Sequence, residues 1–433
     1  MARERAAGYG NGGATHALRA NCISMSEPRL LVFSSLFPNL ADPNAGVFIR
    51  ERMFRVGRRL PIVVISPKPW FPGEGFIRLF RPQFRPLAPR HEIQEGIEVF
   101  APRFLSVPGI FKSLDSILMA LGSFLTVWRL RRRFGFNVID AHFGYPDGHA
   151  ASLLARWFDV PLCITLRGSE RTYVETPAFR RRIVAGLQAA DKVIGVSGSL
   201  RALAVSLGIA TDKTITIGNA VDSQRFKPVD RHEARARLGL NDMDPVIVSV
   251  GWLIERKGFH RVIDVMPELV KRHPRLRYLI IGSSTGADNM EASLRRQVEE
   301  LDLKDHVAFL GPMKSDDLKW PLSASDVFVL ATRREGWANV FLEAMACGLP
   351  VITTQVDGNS EVVSSPDLGE LVPFDNPEAL TDAIDRSLLH EWDRAGIRAY
   401  AEYNSWDVRV DYLCRLYREL ASEVEHSRLK NLI

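Results

Sequence analysis

Cysteine is scarce in this chain: Cys22, Cys163, Cys347 and Cys414 are the only four in 433 residues, with no C-x-x-C pair and no metal-ligand spacing. This excludes a disulfide framework and a cysteine-built zinc site, and a reducing, cytosolic setting is expected. His-x-His, H-E-x-x-H and Cys/His clusters are missing too, so no metal is expected. The one D-x-D run, Asp242-Met243-Asp244, precedes a predicted strand and reads as an interdomain turn. The N-terminus lacks the charged-then-apolar layout of a signal peptide, and the most apolar stretch, Ser116 to Trp128, falls short of the roughly 20 residues that span a bilayer.

What is present is a chain longer than one hydrophobic core usually supports, so two domains are expected. Its charge is divided unevenly. Residues 25–220 hold 26 Lys and Arg against 15 Asp and Glu, whereas 221–433 hold 27 against 35. A basic first half suggests an anionic partner such as a membrane surface, a lipid phosphate or nucleic acid; a solvated basic face is the plainer alternative. Asp115 to Arg133 sharpens this point. It joins Ile117, Leu118, Leu121, Phe124, Leu125 and Trp128 to Arg129, Arg131, Arg132 and Arg133. Packing on a sheet is the stronger reading of the apolar set, while the arginines could lie against anionic lipid.

Residues 1–24 are rich in Gly, Ala, Arg and Asn without apolar periodicity and are read as a disordered tail, extended from an upstream start, before Met25. The G-x-G-x-x-G of Gly8, Gly10 and Gly13 has no strand before it and no helix after it, so it is not read as a dinucleotide fingerprint. From Leu30 onward short apolar runs alternate with helical patterns, the signature of parallel sheets covered by helices on both faces. Strands are expected at Leu30 to Ser34, Pro61 to Ile65, Val138 to Ala141, Leu162 to Leu166, Lys192 to Val196 and Thr214 to Ile217. A second series runs through Val246 to Val250, Leu276 to Ile281, His306 to Leu310, Val327 to Leu330 and Pro350 to Thr353. The fold class is therefore α/β, with two doubly wound, Rossmann-like domains over residues 25–222 and 223–405. Ligands of such sheets sit beyond the carboxyl ends of the strands, so chemistry should gather in an interdomain cleft.

The loops after strands carry the candidates. Glu335 precedes a helix and Glu343 lies inside it, with the amides of Asn339, Val340 and Phe341 free at its N-terminus. Such an end attracts anions, and a nucleotide diphosphate sugar could set phosphate there and offer hydroxyls to both carboxylates. The spacing alone is weak. Lys257, between Gly251 and Gly258, could neutralise a departing diphosphate, or be merely solvated; neighbouring Arg256 ranks behind it as a candidate, because adjacent side chains in a loop rarely face the same way. His142 opens His-Phe-Gly-Tyr-Pro-Asp-Gly-His and could reach a sugar hydroxyl or be structural, whereas His149 reads as packing. Arg167, Gly168 and Glu170 offer a cation, a flexible link and a carboxylate for acceptor binding, with a helix N-cap by Ser169 as the equal alternative. Gly46 closes the long loop Ser35 to Phe48 and would let backbone approach a ligand.

Together these residues resemble the retaining GT-B glycosyltransferases of the family 4 type, from about Leu30 to the C-terminus. Glu335 to Val351 looks like that family's E-x7-E segment, Gly251 to Gly258 like its lysine loop and His142 to Gly148 like its histidine loop. Asn219 to Asp222 resembles its interdomain crossing, and 406–425 its final helix, which returns to the first domain. The resemblance implies catalytic roles for His142, Glu335 and Lys257, and donor contacts from Gly46, Arg256, Lys257, Asn339, Val340, Phe341 and Glu343. It puts Arg167 and Glu170 on the acceptor side. The donor would be a nucleotide diphosphate sugar, used without metal, and the acceptor a saccharide or lipid-linked saccharide of a bacterial exopolysaccharide or cell-surface glycan. The setting would be cytoplasmic, peripheral on the inner face of the membrane. Two positions depart from the family pattern: Trp252 stands where an arginine is usual, and Arg167 where relatives often place histidine. A sugar-nucleotide epimerase of similar fold, and a non-catalytic protein binding nucleotide or nucleic acid, are the rival readings; nucleic acid would not require Glu335 and Glu343.

Overall fold

In the computed structural model of the chain, residues 27–430 are described, apart from 44, 81–83, 86, 284–287 and 357, with backbone alone from 423. The expected disordered tail, with its glycine pattern, lies outside them. The first domain carries β1 (Leu30–Phe33), β2 (Ile62–Ile65), β3 (Lys68–Trp70), β4 (His91–Gln94), β5 (Ile97–Phe100), β6 (Arg103–Leu105), β7 (Val138–His142), β8 (Leu162–Leu166), β9 (Lys192–Gly195) and β10 (Thr214–Thr216). The second carries β11 (Val246–Val250), β12 (Arg277–Ile281), β13 (Val307–Gly311), β14 (Val327–Leu330), β15 (Val351–Thr354) and β16 (Gly369–Val372).

The second sheet has the order β13-β12-β11-β14-β15-β16, all parallel, which is the 3-2-1-4-5-6 order of a doubly wound fold. The first runs β10-β9-β8-β7-β1-β2-β5-β4, parallel except for the antiparallel edge strand β4. Strands β1, β2, β7 and β8 are buried at every residue, as a parallel sheet with helices on both faces demands. In each sheet the order reverses beside the first strand, so the loops after β1 and β7, and after β11 and β14, open at the switch points.

Five strands escaped the sequence reading: β3 to β6, and β16. Strands β4 and β5 meet through Glu95 and Gly96, both at positive φ (48° and 82°), and alternate apolar with charged residues at a sheet edge. Strands β3 and β6 are three residues each and pair only with one another. The helix Asp115–Arg133 runs past Trp128 through the arginines, and Lys112–Arg133 is long and apolar enough by length and composition to cross a membrane. It is instead a surface helix, with Met119, Ala120, Val127 and Leu130 packed inward.

The domains are joined twice. Val221 donates its N–H to Asn404 O (3.2 Å) and accepts from Trp406 N–H (3.1 Å), so the outgoing and returning chains run side by side. The last helix, Trp406–Lys430, then buries Trp406, Leu413, Tyr417 and Leu420 among Leu30, Val32 and Val138 of the first domain. Across the gap, a Cβ placed on Gly336 would lie 2.8 Å from Arg167 O, so the loops after β14 and β8 touch backbone to backbone. Glu361 of the second domain accepts N–H bonds from Gly198 (2.5 Å) and Ser199 (3.2 Å), at the N-terminus of the helix Gly198–Ser206.

Candidate active site

Between the domains lies a cavity of about 650 Å³, a size suited to a small-molecule ligand, with walls from both sheets. On the second domain, β11 leads through Trp252 into a single helical turn, Glu255–Lys257, closed by Gly258 at φ 76°. No side chain fits at Gly258, since its Cβ would stand 1.9 Å from Ala331 O; the turn thereby seats against the end of β14. That seating brings Arg256 and Lys257 to one target, contrary to the expectation for adjacent loop residues. Lys257 Nζ lies 2.6 Å and Arg256 Nη1 3.0 Å from Glu335 Oε1, which also accepts from Thr332 Oγ1 at 3.2 Å. Burial would raise the Glu335 carboxyl, but Lys257 and then Arg256 outweigh it and hold the group below the usual carboxylate range.

Glu343 lies one helix turn into Asn339–Ala346 and is partly buried in the cavity wall. Among the described residues its carboxylate has no hydrogen-bond partner. Burial pushes it up to about 7, with Arg225 opposing the rise and Glu51 adding to it. The two carboxylates thus titrate apart, Glu335 as a fixed anion and Glu343 as a group near neutrality. The same helix starts at Ala338 without a side-chain cap, and Asn339 and Val340 line the cavity. Phe341 corrects one expectation: its side chain is fully buried against Phe328, and its N–H turns back to Ala338 O (3.1 Å), so this amide is not free.

On the first domain, Arg167 at the end of β8 enters the cavity. Its Nε lies 3.2 Å from His142 Nδ1, its Nη1 3.2 Å from Asn219 Oδ1, and its guanidinium stacks over Phe48 at 5.1 Å. His142 is fully buried behind it, which corrects the expectation of a histidine at the cleft edge: the longer arginine occupies that position. Burial pulls the His142 imidazole down to about 4, with Asp140 opposing and Arg167 adding to the fall. The ring is therefore neutral, its Nδ1 accepts from Arg167, and its Nε2 faces Asp140 Oδ2 at 3.3 Å.

Glu170 is likewise fully buried and does not face the cavity. Its Oε1 accepts the Gly144 N–H (2.8 Å) and its Oε2 the Gly168 and Arg167 N–H groups (2.7 and 3.2 Å), so it fastens the loops after β7 and β8. Ser169 makes no side-chain cap and lines the cavity instead. Gly46 does not line it; at φ 67°, with a would-be Cβ 2.4 Å from Leu36 O, its glycine serves the loop's own packing while Phe48 reaches the wall. His149 bonds Ser116 Oγ at 3.0 Å and is packing.

Sequence reasoning missed Arg334, which lines the cavity and reaches Thr172 Oγ1 (3.3 Å) across it. It also missed Trp337 and the buried Arg52 and Asp140. Asp140, a charge inside the apolar strand Val-Ile-Asp-Ala and two residues from His142 on one sheet face, was a readable signal. Asp242 pairs with His232 and Asp244 lies 3.6 Å from Arg275, and neither lines the cavity. Among the described residues no group of three or more His, Cys, Asp or Glu is placed to hold a metal ion.

Two family models match the chain: Glycosyltransferase Family 4 over residues 77–225 and Glycosyl transferases group 1 over 230–403. The chain is 30% identical over 303 residues to the D-inositol 3-phosphate glycosyltransferase of Saccharomonospora viridis, spanning 66% of this chain and 70% of that protein. It is 27% identical over 367 residues to TuaC, a Bacillus subtilis protein assigned to teichuronic acid biosynthesis as a glycosyltransferase, spanning 83% of this chain and 88% of that one. Among solved structures, sucrose-phosphate synthase from Thermosynechococcus elongatus superposes with a TM-score of 0.71 at 22% identity, covering 92% of this chain and all of the other. The fold and its facing domains are those of a GT-B glycosyltransferase. The chain belongs to that class, in its family 4 type.

Proposed function

We propose that the chain is a retaining glycosyltransferase that moves a sugar from a nucleotide diphosphate sugar to a saccharide or lipid-linked saccharide acceptor, acting from the cytoplasm in assembly of a bacterial exopolysaccharide or cell-surface glycan. The observation that carries this reading is one cavity holding Lys257, Arg256, an uncapped helix start at Asn339 and Val340, and two carboxylates, Glu335 held by both cations and Glu343 without a hydrogen-bond partner among the described residues. In this reading the diphosphate meets the lysine, the arginine and the helix end. Arg256 supplies the second cation that Trp252 does not. Glu343 accepts from ribose hydroxyls, Glu335 from hydroxyls of the donor sugar, and Arg167 faces the acceptor, with His142 positioning it from behind.

The bond from the anomeric carbon to the leaving phosphate oxygen breaks through an oxocarbenium-like state. The acceptor hydroxyl attacks on the same face, and its proton passes to the leaving phosphate. Fixed cations stabilise the charge on the diphosphate, so no metal is called for. Support also comes from relatives: HepE of Anabaena, at 18% identity and a TM-score of 0.68, was solved with UDP, and a Corynebacterium glutamicum relative is named as GDP-mannose-dependent. A panel of nucleotide sugars, assayed for nucleotide release with saccharide acceptors in the presence of EDTA, tests the reading. Release with one donor is expected; no response to any donor, or an epimer formed without acceptor, would overturn it.

A further inference from the structure

We propose that the first domain docks on an anionic lipid surface through one continuous face, made from the helix Glu74–Phe80, the loop before Asp115 and the outer stripe of the helix Asp115–Arg133. This deepens the reading above and rests on it only for the acceptor being lipid-linked.

The face is defined by what it exposes. Phe76, Leu79, Phe80, Phe111, Leu121 and Leu125 are each more than half exposed. Three links make these one surface. Strands β3 and β6 pair Trp70 with Leu105, at the entries to the helix and the loop. Arg85 Nη1, just beyond the helix, bonds Ser106 O at 3.0 Å. Ser106 Oγ and Lys112 Nζ both reach Asp115 Oδ2 at 3.1 Å, tying the loop to the start of the long helix. Along that helix Leu114, Leu121, Leu125 and Trp128 recur at spacings of 7, 4 and 3, hence on one side, opposite the buried Met119, Val127 and Leu130.

Charge decides what covers it. Residues 70–133 hold ten Lys and Arg against five Asp and Glu. Four of the five acids are engaged within the domain: Glu74 is buried against Arg78, Glu98 pairs with Arg133, Asp115 with Lys112, and Glu92 accepts from Leu40 N–H (3.3 Å) and from the Gln94 amide, which leaves Glu95 as the exposed one. At the end of the stripe Arg132 lies over the Trp128 ring at 4.2 Å, and Arg129 and Arg132 are exposed with no ion pair among the described residues. An apolar row closed by a tryptophan and arginines is the pattern of a helix lying in a lipid interface, with its cations at phosphate level. A second copy of the chain would set these arginines against their own kind.

The face is also tied to the loop after β7 and the helix that follows it. The Tyr145 hydroxyl, in the loop that follows His142, donates to Lys112 O, and Ser116 Oγ meets His149 in the next helix. Lipid bound here would therefore lie on the acceptor side of the cleft.

The test is co-sedimentation of the full chain with phosphatidylcholine vesicles, with and without phosphatidylglycerol. Binding is expected only with phosphatidylglycerol and is released by salt. Leu121→Ser/Leu125→Ser and Phe76→Ser/Phe80→Ser should each weaken it by about tenfold or more, and Arg129→Gln/Arg132→Gln by about tenfold. Melting by circular dichroism shows whether the variants are folded, and nucleoside diphosphate affinity, which should stay unchanged, reports the donor site separately. No binding to phosphatidylglycerol vesicles, variants that partition like the parent, or a dimer by light scattering that these substitutions dissolve would each overturn the proposal.

Discussion

Glu343→Gln should move stability and nucleotide affinity in opposite directions. The folded-state value of about 7 lies above the ordinary 4.5, so the native chain holds this proton more tightly than the unfolded one. The contribution of this group to stability is therefore full below 4.5 and is lost as pH rises through about 7. A rise of that size corresponds to roughly 3 kcal/mol at most. Because Glu343 faces an open cavity where water screens part of the effect, about 1–3 kcal/mol is expected. Glutamine removes the penalty, so the ligand-free variant should melt at a higher temperature than the parent at pH 8 and at nearly the same temperature at pH 5. Binding should change the other way. Ribose hydroxyls favour the ionised carboxylate, so the parent's affinity for nucleoside diphosphate should rise with pH through about 7 and release a proton near neutrality. Loss of a hydrogen bond to a charged group should cost the variant about 1.5–3 kcal/mol and flatten that pH dependence. Calorimetry in buffers of different ionisation enthalpy, with melts at both pH values, reads all of this. Affinity equal to the parent at pH 8 would remove Glu343 from the nucleotide site, and an unchanged melting temperature there would refute the burial argument.

Lys257→Ala takes away the main group that offsets burial at Glu335, so the carboxyl should rise and the acid limb of the kcat/KM profile should move to higher pH. A loss of about 10²–10³ in kcat is expected if the lysine also meets the leaving diphosphate, measured by nucleotide release; an unchanged profile would refute the pairing. Gly336→Ala would place a methyl 2.8 Å from Arg167 O and push the domains apart. Small-angle scattering should show a larger molecule and activity should fall, while an unchanged radius with full activity would mean that the backbone contact is not needed.

Strands β1, β2, β8, β11 and β14 were legible because parallel strands buried on both faces read as near-continuous apolar runs, β7 likewise but for Asp140, and their following loops were legible because ligands gather at such ends. The edge hairpin β4–β5 was not, since its solvated side breaks the run. Site loops were found more readily than the direction each side chain takes. Whether His142 reaches the cavity depends on the length of the residue 25 positions later, and Arg167 covers it. Glu170 looked like an acceptor contact because a loop carboxylate and a site carboxylate are the same letter. Only the fold shows three backbone amides converging on it. Arg256 was the reverse case, a residue brought to Glu335 by the single turn that Gly258 closes.

The central claim is that this cleft transfers a sugar with retention. The direct measurement is the anomeric configuration of the first-formed product, read by proton NMR within the first turnovers on a donor identified by the panel. From an α-linked nucleotide sugar the account predicts an α-linked product, lost in Lys257→Ala; a β-linked product would contradict it.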